Sequence, residues 1–477
     1  MIKHKFIYII VAAGLLMTTS CEKWLDVEPK SQVKANELFD TEDGFKEALA
    51  GVYTILTEKA LYGREMTYGM MGVLSHEWTS YSTSYKDDSE HNYLSILTRN
   101  RIDAIWSNMY KAIANTNMIL ENIDSKNVFK ADNKAIIKGE ALALRAFIHF
   151  DLVRLFGVNY TTNSSQRAIP YVELYTSKQT KQYTVNEIID KVIADLESAK
   201  ELLKVDPIFT GKTITEANDR GYLLNRQLHL NYYAVEALLA RVYLYKGDYT
   251  NAQKYAENVL KAQKFGFSTQ KNIADKVDLS GAPEQIFALQ INTLHQDAVN
   301  HLTPNGDGPI FSLSATVAET YFGAEFSNDY RYLYLLENGT GANATQKYTL
   351  KYTEPTVPNT ITNPEYFRQK MPIIMLSELY FILGECANQN GSDALVHINP
   401  VLAARGINTL TNYNDFRTLM TNEFRKEFLA TGQLFFYYKR INQERIQNYA
   451  ENLVTNKSYT FPIPETEYEF ADRLPNK

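Results

Sequence analysis

Cysteine is nearly absent from this chain, which carries only Cys21 and Cys386. With Cys21 consumed as argued below, no disulfide can form within one molecule, and the fold must stand on its core. A chain of 477 residues with 45% hydrophobic content can supply that core. Basic clusters are missing too. The formal net charge is −6 and no Lys/Arg-rich run occurs, which speaks against nucleic acid as a partner. Catalytic signatures are equally scarce: there is no His-Glu-x-x-His, Cys-x-x-Cys, phosphate loop or Gly-x-Ser-x-Gly. The eight histidines are scattered, and the closest pair, His295 and His301, does not share a helix face. Carboxylate pairs such as Glu423 and Glu427 arise by chance among 55 acidic residues. Asn305-Gly306-Asp307-Gly308 lacks the later oxygen ligands of a calcium loop and reads as a turn. The expectation is a protein without catalytic residues, metal or cofactor.

What is present begins at the N-terminus. Lys3 and Lys5 precede an apolar run from Phe6 to Met17, then Thr18, Thr19, Ser20 and Cys21. A basic start, a short apolar core and small residues make residues 1–20 an export signal. The run is too short to span a bilayer, which takes roughly 20 apolar residues. A Cys directly after the small residues is the signature of bacterial lipoprotein processing, although Thr18 stands where Leu is usual. Acylated Cys21 would anchor the protein, since each buried CH₂ contributes about 0.8 kcal/mol. The polar stretch that follows, within 21–35, reads as a tether.

Helical periodicity dominates the rest. Ile137, Ala141, Leu144, Ile148, Leu152 and Leu155 recur at steps of three and four before Gly157; Leu376, Leu379, Tyr380, Leu383 and Ala387 do the same. Further helices are expected near 41–57, 100–124, 184–204, 231–246, 250–264 and 415–440. Segments 205–228, 268–310 and 337–366 read as irregular excursions with short strands at best, such as Gln285 to Ile291. Residues 237–262 look like a tetratricopeptide unit: Ala240, Ala252 and Ala256 let two helices approach, and Gly247-Asp248-Tyr249 makes the turn. Residues 379–404 echo it, and Leu142 to Gly157 is a candidate first half of a third copy. Arg145, Asp151 and Arg154 beside an apolar stripe read as a structural ion-pair network. Cys386 reads as a small core residue. The fold class expected is mostly α, a tetratricopeptide-like helical-repeat scaffold with long irregular loop excursions and few short strands. No linker is marked, so residues 21–477 read as one domain.

The chain is rich in aromatics, with 33 Tyr and 23 Phe. Within the aromatic-rich segment 62–110, Trp78, Tyr81, Tyr85 and Tyr93 lie in or beside a polar run with no clean period. Aromatic faces stack on sugar C–H groups while hydroxyls bond to polar side chains. His76, Asp87, Asp88 and Asn92 are candidates for those contacts. The competing reading has Trp78 and one Tyr pinning the loop to the helices as core, with 292–311 as the next place for a site.

Several stretches resemble the SusD/RagB family of outer-membrane nutrient-binding lipoproteins. They are Trp24-Leu25-Asp26-Val27-Glu28-Pro29, Phe39 to Tyr53, Arg145-Ala146-Phe147, and Phe150 to Gly157. Asp329 with Arg331, Glu378 to Asn388, Glu423 to Arg440 and Phe461-Pro462-Ile463-Pro464 complete the resemblance. Tyr437-Tyr438 departs from a usual Asp-Leu pair, which predicts a missing local salt bridge. The resemblance implies a lid over a SusC-like TonB-dependent transporter barrel, capturing an oligosaccharide at the cell surface. The alternatives are a peptide binder of the same family, an all-helical surface glycosidase, and an adaptor that binds only protein.

Cys21→Ser should abolish acylation and leave the protein soluble or unprocessed. Intact-mass analysis checks this, and an unmodified wild-type mass starting near Glu22 would refute the anchor.

Overall fold

The computed structural model describes residues 37–304, 311–354, 363–471 and 473–476. The signal segment, Cys21, the 21–35 tether, the stretch Trp24 to Pro29 and the turn at Asn305 to Gly308 lie outside them. Numbering helices of eight or more residues, the scaffold contains α1 (Glu42–Leu56), α2 (Ile96–Ile123), α3 (Asn133–Phe156) and α4 (Val185–Leu202). It continues with α5 (Tyr232–Lys246), α6 (Tyr249–Lys261), α9 (Leu376–Gln389) and α10 (Leu395–Ala404). Each packs on the next in this order.

Local chemistry sets the boundaries. Asn231 Oδ1 accepts hydrogen bonds from the Tyr233 and Ala234 N–H groups to start α5, which stops at Gly247. Asp248 then caps α6, accepting from the Asn251 N–H at 3.0 Å. Stop and start fall on consecutive residues, so the two helices fold straight back, with Ala240, Ala252 and Ala256 buried between them. The α9–α10 pair repeats this arrangement, with Asp393 accepting from the Leu395 N–H at 2.9 Å. The candidate third copy pairs α3 with α4, but residues 157–184 intervene where a repeat would have a turn. They carry the antiparallel pair β1 (Arg167–Pro170) and β2 (Gln182–Thr184).

The remaining layer is less irregular than its composition suggests. Within 268–310 it holds β3 (Gln285–Gln290) and a helix, α7 (Leu294–Leu302). Strand β4 (Leu313–Ser314) leads into α8 (Ala315–Phe322), and β4 and β5 (Leu336–Asn338) flank β6 (Gln346–Thr349). Strand β7 (Lys370–Met375) pairs antiparallel with β3 and leads directly into α9. The helix expected over 415–440 is two: α11 (Phe416–Glu427) and α12 (Gln433–Arg440). The break is at Gly432, where φ is 75° and a Cβ would come within 2.2 Å of the Met66 carbonyl oxygen. Only glycine fits there.

Buried ion pairs join the layers. Arg241 on α5 grips Glu378 on α9 at 2.5 and 2.6 Å and donates to the Ile373 carbonyl. Arg405, just past α10, lies between Glu284 before β3 and Glu427 at the end of α11. Arg331 extends the network to Asp329, Glu423 and Glu427. The family-like Asp-x-Arg is therefore a buried structural pair, in which Asp329 also accepts the Arg331 backbone N–H. Arg145 pairs with Asp195 at 2.7 Å, and Asp151 with Arg154 and the Tyr62 hydroxyl. At Tyr437-Tyr438 no carboxylate is present for a salt bridge; in its place the Arg425 guanidinium donates to the Tyr438 hydroxyl at 2.7 Å, and Tyr437 stacks on Phe424. Cys386 is fully buried, and desolvation pushes its thiol up to about 12.

Arg405→Met should lower stability by roughly 3–5 kcal/mol, because two buried carboxylates lose their partner. Urea unfolding measures it, and adding Glu284→Gln should recover part of the loss.

Candidate functional site

Residues 57–95, between α1 and α2, hold the side chains singled out from sequence. The structure buries most of them. Trp78 is 2% exposed; its indole N–H donates to the Tyr68 carbonyl at 2.8 Å, and its ring lies against Phe311. A Cβ on Gly72 would approach the indole nitrogen to 2.5 Å, so the fit is tight. Tyr85 is also buried, donating to Glu65 at 2.9 Å beneath the Arg101 guanidinium, 4.0 Å from its ring centre. Tyr93 is buried against Phe461 and donates its hydroxyl to the Ser458 carbonyl. Trp78, Tyr85 and Tyr93 therefore offer no ring face to a ligand, and the core reading replaces the stacking one. The physical reason is long range: Phe311, Ser458 and Phe461 supply apolar and polar partners that local sequence does not show.

The polar candidates divide similarly. His76 and His91 are buried at φ of 53° and 52°, with ring centres 5.9 Å apart, and Tyr449 lies over His76. Desolvation pulls them down to about 4 and about 3, so both rings are neutral at pH 7. Asp88 is buried and ion-paired with Arg101 at 2.7 Å, and desolvation raises it to about 7. Asp87 and Asn92 stay near the surface but bond to each other at 3.3 Å. Among the described residues no group of three or more His, Cys, Asp or Glu side chains is placed to hold a metal ion.

Tyr81 is the exception. It is partly buried at the edge of the core, in a Ser/Thr-rich shelf formed by residues 79–84. That shelf is stitched to the segment before α8: the Thr79 and Ser80 N–H groups donate to the Ser312 carbonyl at 2.9 and 3.1 Å. The Ser312 N–H returns a bond to the Ser80 carbonyl, and the Ser314 N–H donates to the Thr79 hydroxyl. Sequence reasoning named both 62–110 and 292–311; the structure sets residues 79 and 80, inside the first, against Ser312, which directly follows the second. The ring is thus held by backbone pairing rather than left on a free loop, which favours ligand contact at low entropic cost.

A second feature was missed from sequence. A cleft of ≈ 500 Å³ opens between α1 and the end of β3, with Tyr53 and His229 on its wall. Both bond to Glu140 Oε2, at 2.8 and 2.9 Å, while Arg226 holds the other carboxylate oxygen at 2.7 Å. Burial alone would raise the Glu140 carboxyl, but Arg226 and His229 hold it well below the usual carboxylate range. Thr57, Lys59, Gln290 and Thr293 give the cleft a polar rim. It is suited to hydrogen bonding; its one Tyr ring is turned against His229.

With this geometry in place, two family models match the sequence. One, described as starch-binding and associating with the outer membrane, covers residues 23–244; the other, the SusD family model, covers 319–476. The chain belongs to the SusD/RagB family. Two SusD-like proteins of Formosa agariphila are 24% identical over 157 residues and 22% identical over 300. Those matches cover 31% and 59% of this chain, and 30% and 52% of the relatives, so the chain spans about half or less of the curated relatives it matches. Among solved structures, a SusD superfamily protein of Bacteroides thetaiotaomicron superposes with a TM-score of 0.71 at 21% identity, covering 92% of this chain and 100% of the other. A laminarin-binding SusD-like protein gives 0.67 at 17% identity, covering 92% and 99%. The SusD-like architecture of helical repeats with few short strands is therefore shared along nearly the whole chain.

Trp78→Ala should cost about 3–5 kcal/mol of stability, read from thermal or urea unfolding, and leave the ligand affinity of the folded fraction unchanged. Asp87→Ala should stay within about 0.5 kcal/mol of the parent.

Proposed function

We propose that this SusD-like protein is a cell-surface glycan-binding lipoprotein. In this reading it is lipid-anchored to the outer membrane through Cys21, with 21–35 as tether and the remainder as one domain, and it captures oligosaccharides for a TonB-dependent transporter. The observation that carries the ligand class is the match to a family model described as starch-binding. The solved laminarin-binding relative, which shares the fold, agrees with it. The shelf at residues 79–84 fits the role: a half-available Tyr81 ring lies among serine and threonine hydroxyls, on backbone fixed by Ser312. The protein binds and releases its ligand unchanged.

Isothermal titration with panels of oligosaccharides and of peptides tests the reading. Tyr81→Ala should weaken glycan binding about tenfold, equivalent to about 1.4 kcal/mol, with little change in melting temperature. Binding confined to peptides would move the protein to the peptide-binding branch of the family. Cleavage products on incubation with the glycans would overturn the binder assignment, and recovery only as a monomer from mildly solubilised outer membranes would count against the transporter partner.

A further inference from the structure

A second cleft, of ≈ 380 Å³, runs beside α2 between the segment 171–180 and the C-terminal residues. Tyr110, partly buried, forms its floor, backed by the buried Trp106 ring with ring centres 4.7 Å apart. Tyr175 stands on its rim, 54% exposed. An outward tyrosine beside an aromatic floor needs a reason in a segment as firmly held as this one. Asn117 donates to the Val172 carbonyl at 2.9 Å, the Tyr175 N–H donates to Glu121 at 2.6 Å, and Arg473 donates to the Thr180 carbonyl at 2.6 Å. The loop is therefore fixed at both ends and at its tip, and its rim side chains are presented without an ordering cost.

The polar groups divide into two sets. The charged ones deep in the cleft satisfy each other: Glu467 accepts from Arg473 at 2.9 Å and from the Trp106 indole at 3.2 Å. The rim groups have no such partners. Among the described residues, the side chains of Ser107, Tyr175, Lys178 and Gln179 make no hydrogen bond within the protein. A ligand here meets aromatic surface below and neutral donors and acceptors around the edge, with the one strong charge, Lys178, exposed. A pyranose has that pattern of C–H faces ringed by hydroxyls, and the volume falls in the range of small-ligand sites. An apolar ligand would leave the rim unused, and an anion would find Arg473 already occupied and only the exposed, solvated Lys178 beside it.

We propose that this cleft is a second oligosaccharide-binding site, separate from the Tyr81 shelf, for a neutral glycan. The inference rests on the glycan-binding reading for its ligand class but not for its location. The test is titration of the intact protein with laminari-hexaose and malto-hexaose, using the parent, Tyr81→Ala, Tyr175→Ala and the double variant. The melting temperature of Tyr175→Ala should match the parent, since the ring is exposed. The expected result is two binding events in the parent, with Tyr175→Ala weakening one of them about tenfold while Tyr81→Ala leaves that one intact. Glycan binding that Tyr81→Ala removes and Tyr175→Ala leaves unchanged overturns the second site and keeps the first. Binding that neither variant alters overturns both locations while the ligand class stands. Absence of binding to either glycan overturns the second site together with the ligand class assumed for it.

Discussion

Arg405 lies where three separate parts of the chain meet, and its two carboxylate partners help to fix their mutual position. Glu284 leads into β3, Glu427 closes α11, and Arg405 itself follows the last helix of the repeat stack. Burying these charges takes them out of water at considerable cost, so their merit is definition more than net stability. Each guanidinium accepts only a narrow set of positions for its partners. Cys386 is the only cysteine among the described residues and it is free, so within them Arg241, Arg331 and Arg405, not disulfides, register one layer on another. Beside them, Lys351 donates to the Glu427 and Leu429 carbonyls and Glu77 accepts the Ala430 N–H, so the turn between α11 and α12 is gripped from two sides.

The repeat scaffold was legible because its signals are local. The 3.6-residue spacing of Ile137 to Leu155, the small residues of α5 and α6, and caps such as Asn231 and Asp248 each act within a few residues of themselves. The helix α7 and the break at Gly432 were not legible. Gly432 reads as an ordinary weak spot in a helix until the Met66 carbonyl is seen beside it. The burial of Trp78 shows the same limit more sharply. Its neighbours in sequence are polar, which suggests a solvated loop, yet its partner Phe311 lies far along the chain. Composition reports what surrounds a residue along the chain; burial depends on what surrounds it in space.

Tyr81 and Tyr175 have a common construction despite lying in different excursions. Each sits on a segment too polar to make its own core, and each segment is tied down by backbone hydrogen bonds to distant elements. Rigid support under an amphipathic ring suits a shallow site, because ligand binding then orders little of the protein. In the cleft beside α2 the helix supplies the floor residue Tyr110, while the rim comes from the connection 171–180.

The short distance along the chain from Trp78 to Tyr81 has a consequence for how such a protein changes over time. The indole is locked into the interior by Tyr68, Gly72 and Phe311, and three residues later the chain has reached the surface. Foundation and tip are thus encoded side by side yet answer to different pressures. Substitutions at the tip alter what the surface presents without disturbing the footing, whereas those at the footing unsettle the core. The outer residues of this excursion can therefore be rewritten while its anchor is kept, and a designer can graft onto the same peg.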